Sequence, residues 1–217
     1  MQSDLESEIQ FARQHNIGDI LRRSAMRFPD KTAIICGQTE WTYKAFDTAC
    51  NQLARHLLAS GISAGDKIAV IARNSHGFAA IRFAIARIGA VLVPINFMLN
   101  ANEVRYILNS SRSKMLALGP EFIDIGLEAI SKGTDVEITL GLPSEHQSSS
   151  LKTDLRFEGL LTGDATAPEI HLDDRSLAQI VYTSGTEAMP KGAMLSHGAV
   201  LWQYTSCIID GEMTTSD

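Results

Sequence analysis

The run Lys67-Ile-Ala-Val-Ile-Ala-Arg-Asn-Ser-His-Gly-Phe-Ala-Ala-Ile-Arg-Phe-Ala-Ile-Ala-Arg-Ile-Gly-Ala-Val-Leu-Val-Pro94 reads as strand, helix, strand. Lys67–Ala72 is short, apolar and β-branched at Ile68, Val70 and Ile71, the pattern of a strand buried on both faces. Asn74 or Ser75 can start a helix that carries Phe78, Ile81, Phe83, Ile85 and Ile88 and stops near Gly89. Ala90–Pro94 then returns as a second buried strand.

The same rhythm extends in both directions. Asn100-Ala-Asn-Glu103 is a capping-box variant, with Asn in place of Ser or Thr, and predicts a helix over Ala101–Asn109. A strand at Lys114–Leu118, a helix from Pro120 to about Lys132 and a strand at Val136–Leu140 follow. Towards the amino terminus, Ile17, Ile20, Leu21, Ala25 and Phe28 fall at helical spacing between Asn16 and Pro29. Lys31–Cys36 and Thr39–Tyr43 flank Gly37-Gln38 as a hairpin. Thr42 can cap a helix over Lys44–Ser60, whose stripe Phe46, Ala49, Cys50, Leu53, Ala54, Leu57 and Leu58 ends at Gly61. This alternation predicts an α/β domain: a mostly parallel sheet flanked by helices on both faces. The polar stretch at about 143–153 reads as a flexible surface excursion inside that domain, and Leu155–Leu161 as one weak helix.

Composition excludes several functions. The formal net charge of the 217 residues is −6, with acidic and basic side chains mixed along the chain, so no cationic face is predicted for nucleic acid. Cys36, Cys50 and Cys207 are odd in number and lack C-x-x-C spacing, which predicts neither disulfides nor a zinc knuckle but three small buried hydrophobes in a reducing cytoplasm. The start, Met1-Gln-Ser-Asp-Leu-Glu-Ser-Glu, is acidic where a secretory signal is basic and then apolar. Phe78–Pro94 is broken by Arg82, Arg87 and Gly89, so no transmembrane segment is expected. Histidines 15, 56, 76, 146 and 171 show no metal-ligand spacing, and no protein metal site is predicted.

Chemistry is concentrated further on. Leu177–Tyr182 ends as a strand and runs into Thr183-Ser184-Gly185-Thr186-Glu187-Ala-Met-Pro-Lys191-Gly192, followed by the strand-like Ala193-Met-Leu195. Three hydroxyls, two glycines and one cation at the carboxyl end of a strand suit a polyphosphate, because glycine lets backbone amides converge on an anion while hydroxyls add donors and Lys191 adds charge. It is not a Walker A loop, since Pro190 precedes Lys191 and Gly192 follows it. By composition alone, a ligand-free polar hairpin fits as well.

The literal string separates the two readings. Tyr182–Gly192 resembles the YTSGTTGxPKG signature of the adenylate-forming (AMP-binding) superfamily. Trp41-Thr-Tyr43, Asn51-x-Leu53-Ala54, Gly61…Gly65-Asp66, Asn74, Gly89-Ala90-Val91-x-x-Pro94-x-Asn96 and Ser196-His197 are similar to its amino-terminal landmarks, in order. The resemblance implies that residues 1–217 are a partial amino-terminal AMP-binding domain of an acyl-CoA synthetase. Such an enzyme activates a carboxylic acid, here a fatty acid, with ATP and Mg²⁺ to an acyl-adenylate and passes the acyl group to coenzyme A. It also implies that Thr183, Ser184, Gly185, Thr186, Glu187, Lys191 and Gly192 make up the cofactor-binding loop, with Lys191 and the hydroxyls holding the phosphates and Lys191 serving catalysis. Glu187-Ala188 depart from the more common Thr-Gly, and a carboxylate beside phosphates would repel them, so Glu187 points to solvent, helps bind Mg²⁺ or weakens the loop, the first being expected where a loop tip offers room. Ser196-His197 lacks a G-x-S-x-G elbow and reads as helix capping.

Two alternatives remain: a ligase for an aryl or amino acid, and a non-catalytic domain acting by association. In the family, the adenosine contacts, the metal-binding Glu and the catalytic lysine of the carboxyl-terminal domain lie downstream of Asp217. The chain alone is therefore expected to be inactive and to self-associate through exposed apolar surface.

Overall fold

A computed structural model describes residues 15–183 and 189–214. Its order is α1 (Ile17–Arg27), β1 (Thr32–Cys36), β2 (Thr39–Thr42), α2 (Tyr43–Ala59), β3 (Lys67–Ile71), α3 (His76–Arg87), β4 (Val91–Pro94), α4 (Ala101–Ser111) and β5 (Ser113–Leu118). There follow a 3-10 turn (Pro120–Phe122), α5 (Ile123–Ser131), β6 (Ile138–Gly141), β7 (Leu155–Arg156), a second 3-10 turn (Phe157–Leu160), β8 (Leu177–Thr183), β9 (Lys191–Ser196) and α6 (His197–Asp210).

Seven strands form one sheet in the order β7-β6-β5-β3-β4-β8-β9, and β1-β2 form a separate antiparallel pair. Every neighbouring pair in the large sheet is parallel except β8-β9. Alternate residues of the central strands serve opposite cores. Ile68, Val70, Met115 and Ala117 pack with Leu53, Leu57, Ile81 and Ile85 of α2 and α3. Ala69, Ile71, Leu116 and Leu118 pack with Val104, Ile107 and Leu108 of α4 and Ile123 of α5. A near-continuous apolar run follows directly from burial on both faces.

The crossovers explain why the helices divide in this way. From β3 the chain steps by way of α3 to β4, then back past β3 by way of α4 to β5. With right-handed crossovers, reversing the direction of travel moves the helix to the other face. The reversal makes a switch point at the carboxyl ends of β3 and β4, where open α/β sheets bind ligands.

The predicted caps are present. Asn16, Thr42 and Ser75 each accept an amide of the first helical turn, and Asn100 and Glu103 complete the capping box. Gly89 takes φ +69°, which lets the chain turn from α3 into β4. Three expectations are corrected. Pro120–Lys132 is a 3-10 turn followed by a helix, with Phe122 at ψ 7° between them. Leu155–Leu161 is helical only in part: Asp154 accepts both the amide and the hydroxyl of Thr139, at 2.8 and 2.7 Å, and returns its own amide to that hydroxyl, which lays Leu155–Arg156 beside β6 and leaves a 3-10 turn over Phe157–Leu160. Cys50 is buried and its thiol, pushed up to about 12 chiefly by burial, is an inert donor to the Ala80 carbonyl; Cys207, by contrast, is exposed and Cys36 half-buried.

The segment at 143–153 carries identifiable ties. The Pro143 carbonyl accepts from Ser75 Oγ at 2.9 Å, and Ser149, itself buried, donates its amide and hydroxyl to Glu158. Arg87, which interrupts the apolar run of α3, is also buried. It donates to Asp47 and Asn51 of α2, so its charge is paired inside the helical layer.

Candidate phosphate hairpin

β8 and β9 form the hairpin that carries the expected anion site. Leu92 pairs with Gln179, so β8 runs past the end of β4 at Pro94 and delivers Thr183 to the carboxyl edge of the sheet, one strand from the switch point. Thr183 pairs with Lys191, and Tyr182 with Gly192. This corrects the expected loop boundary: Thr183, Lys191 and Gly192 are strand residues, and the connection spans 184–190. Ser184, Gly185, Thr186 and Glu187 lie outside the described residues.

Thr183 and Lys191 are exposed. The hairpin mouth therefore presents a hydroxyl and an ammonium side by side, a pair of donors suited to phosphate oxygens. Gly192 has a local reason: a Cβ there would stand 2.8 Å from Ile180 Cγ2 and 3.1 Å from the Tyr182 ring. The ring lies over the glycine, so a larger residue would push Tyr182 out of place. Tyr182 donates to Ser110 Oγ at 2.9 Å, and the Pro190 carbonyl accepts from Tyr106 at 3.2 Å. Sequence reading singled out neither Tyr106 nor Ser110. Tyr106 falls inside the predicted helix but Ser110 lies one residue beyond its expected end, and the surface they face had no local signal.

Ser196 is the cap expected of the Ser-His pair, accepting from Ala199 N at 3.2 Å. His197 has a different place. Its side chain is wholly buried, and Nδ1 accepts the amide of Ile17 at 3.3 Å, satisfying one of the orphan donors at the start of α1. Burial pushes His197 down to about 4, from an ordinary 6.5. The depressed value means that unfolded chains bind the proton first. Stability is complete above about pH 6.5 and falls as pH drops towards 4, by a total on the order of 3 kcal/mol. Urea unfolding between pH 7 and 4 is expected to show that loss, and His197→Gln, which keeps an acceptor but cannot titrate there, is expected to flatten it.

A second concavity, of about 550 Å³, lies between Gly37, His76, Pro143, Glu145 and Glu158. Burial opposes ionisation of Glu158, but the Ser149 hydrogen bonds outweigh it and hold the carboxyl below its ordinary range. Two carboxylates make this cavity a poor host for a polyphosphate. Among the described residues no cluster of three His, Cys, Asp or Glu side chains could hold a metal ion, and no helix is long and apolar enough to cross a membrane.

A doubly covered parallel sheet with a Thr/Lys hairpin at its carboxyl edge defines the class. The chain belongs to the AMP-binding enzyme family, whose model matches residues 21–217. Benzoate–CoA ligase of Arabidopsis thaliana is 30% identical over 90% of this chain and 36% of its own length. 4-Hydroxybutyrate–CoA ligase 2 of Metallosphaera sedula is 30% identical over 89% of this chain and 36% of its own. The solved structure of a fatty acyl CoA synthetase of Mycobacterium tuberculosis superposes with a TM-score of 0.74 at 30% identity, over 88% of this chain and 37% of that one. The chain spans about a third of the length of the curated relatives it matches.

Proposed function

We propose that this chain is the phosphate-handling part of an AMP-forming acid–CoA ligase. The observation that carries the reading is the exposed Thr183–Lys191 pair at the mouth of the β8-β9 hairpin, inside the string that resembles the family signature. In the proposed reaction a carboxylate oxygen of the acid attacks the α-phosphorus of ATP. The bond from that phosphorus to the bridging oxygen breaks, and pyrophosphate leaves with the electron pair. The acyl group then passes from AMP to the thiol of coenzyme A. Lys191 and the hydroxyls of Thr183, Ser184 and Thr186 hold the leaving phosphates, Gly185 leaves room for them, and Gly192 lets the Tyr182 ring lie beneath the strand that carries Lys191. Charge grows on pyrophosphate in the transition state, so a fixed ammonium there favours reaction over mere binding. Mg²⁺ enters with ATP as part of the substrate.

For the acid we propose a fatty acid, on the likeness of Ser196-His197 and the surrounding sequence to fatty-acid ligases. The three relatives named above share one level of identity and carry three different acids in their names, so overall likeness does not choose among them. Acid-dependent exchange of pyrophosphate into ATP by the full-length protein, with dodecanoate, benzoate, 4-hydroxybutyrate and phenylalanine, tests the reading. Exchange is expected with dodecanoate foremost. Exchange led by benzoate or phenylalanine would replace the fatty acid by an aryl or amino acid, and none with any acid would reject the ligase. The free thiols fit a cytoplasmic setting.

A further inference from the structure

Both arms of the hairpin are tied to one face of α4. Tyr106 and Ser110 are four residues apart, a spacing that sets them one above the other on a helix. The Tyr106 hydroxyl donates to the Pro190 carbonyl, one residue before Lys191. Ser110 Oγ accepts from Tyr182, one residue before Thr183. Since Thr183 and Lys191 are themselves paired, the two bonds fix both sides of the loop mouth at the same level.

The helix is fit to act as a support. Its amino end is closed by the capping box, Val104, Ile107 and Leu108 are buried in the core, and Arg105 and Asn109 both donate to the Gly133 carbonyl at 3.4 Å. Pro190 has no N–H and a fixed φ, so its carbonyl is the one backbone group by which a neighbour can hold it.

We infer that α4 is the brace of the phosphate hairpin and that Tyr106 is a positioning residue for Lys191. The inference rests on the reading of the hairpin as a phosphate site. Lys191 ends in a flexible four-carbon arm on an exposed strand, and the direction of that arm is set by the backbone that Tyr106 holds. Displacement of a reacting partner by an ångström can cost about a hundredfold in rate, so partial release of one anchor should be felt in turnover well before it is felt in folding.

Tyr106→Phe keeps the ring and removes only the hydroxyl. In the full-length protein, kcat/KM for ATP is expected to fall about tenfold, with the KM for the acid and the urea midpoint unchanged. In a Lys191→Ala background the same change should cost less than about twofold, because the group being positioned is gone. Equal losses in both backgrounds would overturn the inference, as would a lowered midpoint with unchanged kcat/KM. An unimpaired Tyr106→Phe beside an impaired Lys191→Ala would overturn the brace and leave the phosphate reading standing. A fully active Lys191→Ala would remove the phosphate reading, and the brace with it.

Discussion

Lys191→Ala is expected to lower acid-dependent pyrophosphate release by the full-length protein about a hundredfold, the usual scale for deleting one preorganised group that meets developing charge. The loss should appear mainly in kcat, because the charge on the leaving pyrophosphate is greater in the transition state than in bound ATP. Lys191→Arg keeps the charge but replaces a compact ammonium by a planar fork on a different stem, and is expected to recover part of the rate. Folding should be unaffected: Lys191 is exposed at the start of an edge strand, and alanine keeps the backbone pairing with Thr183. A rise in the KM for ATP with no change in kcat would instead assign Lys191 to uniform binding of the phosphates.

Residues 1–217 alone are expected to release pyrophosphate at no more than background, measured beside full-length benzoate–CoA ligase from Arabidopsis with its own acid. Even with phosphates held at the hairpin as proposed, catalysis also requires adenosine and the attacking carboxylate to be placed in line, and misplacement of one reactant by an ångström already costs about a hundredfold. The relatives devote nearly two thirds of their length to regions this chain does not cover. On α6, Trp202 is 74% and Ile209 68% exposed, and Met194 on β9 is 72% exposed. Apolar surface of that kind favours association, so these residues alone should form dimers or larger species by light scattering. Turnover at the relative's rate would contradict the division of labour proposed here.

Much of the fold was legible because burial leaves a signature in the sequence. Strands covered on both faces must be apolar at successive positions, which is why Lys67–Ala72 and Ala90–Pro94 stood out. Caps were legible because Asn16, Thr42, Ser75 and Asn100 bond within three residues of themselves. What escaped was long-range. The amide of Ile17 finds His197 across 180 residues, and the strand at Leu155–Arg156 depends on Asp154 meeting Thr139 across 15. Neither bond has a local pattern, and the two-residue strand is shorter than any period. Arg87 read as an interruption of an apolar run, because its partners Asp47 and Asn51 lie on another helix. The β8-β9 hairpin was legible as a string. Its ties to α4 were not, since Tyr106 and Ser110 become meaningful only once Pro190 and Tyr182 are seen to lie against them.

Binding of phosphate at the hairpin mouth through Lys191 underlies every proposal above. Titration of residues 1–217 with pyrophosphate can be followed by the backbone amide resonances of Thr183, Lys191 and Gly192. Shifts are expected at these three amides that weaken as salt is added, as an exposed charged site requires, and that vanish in Lys191→Ala. Shifts centred on His76 and Glu158 with the hairpin unmoved, or an identical titration of the Lys191→Ala chain, would contradict it.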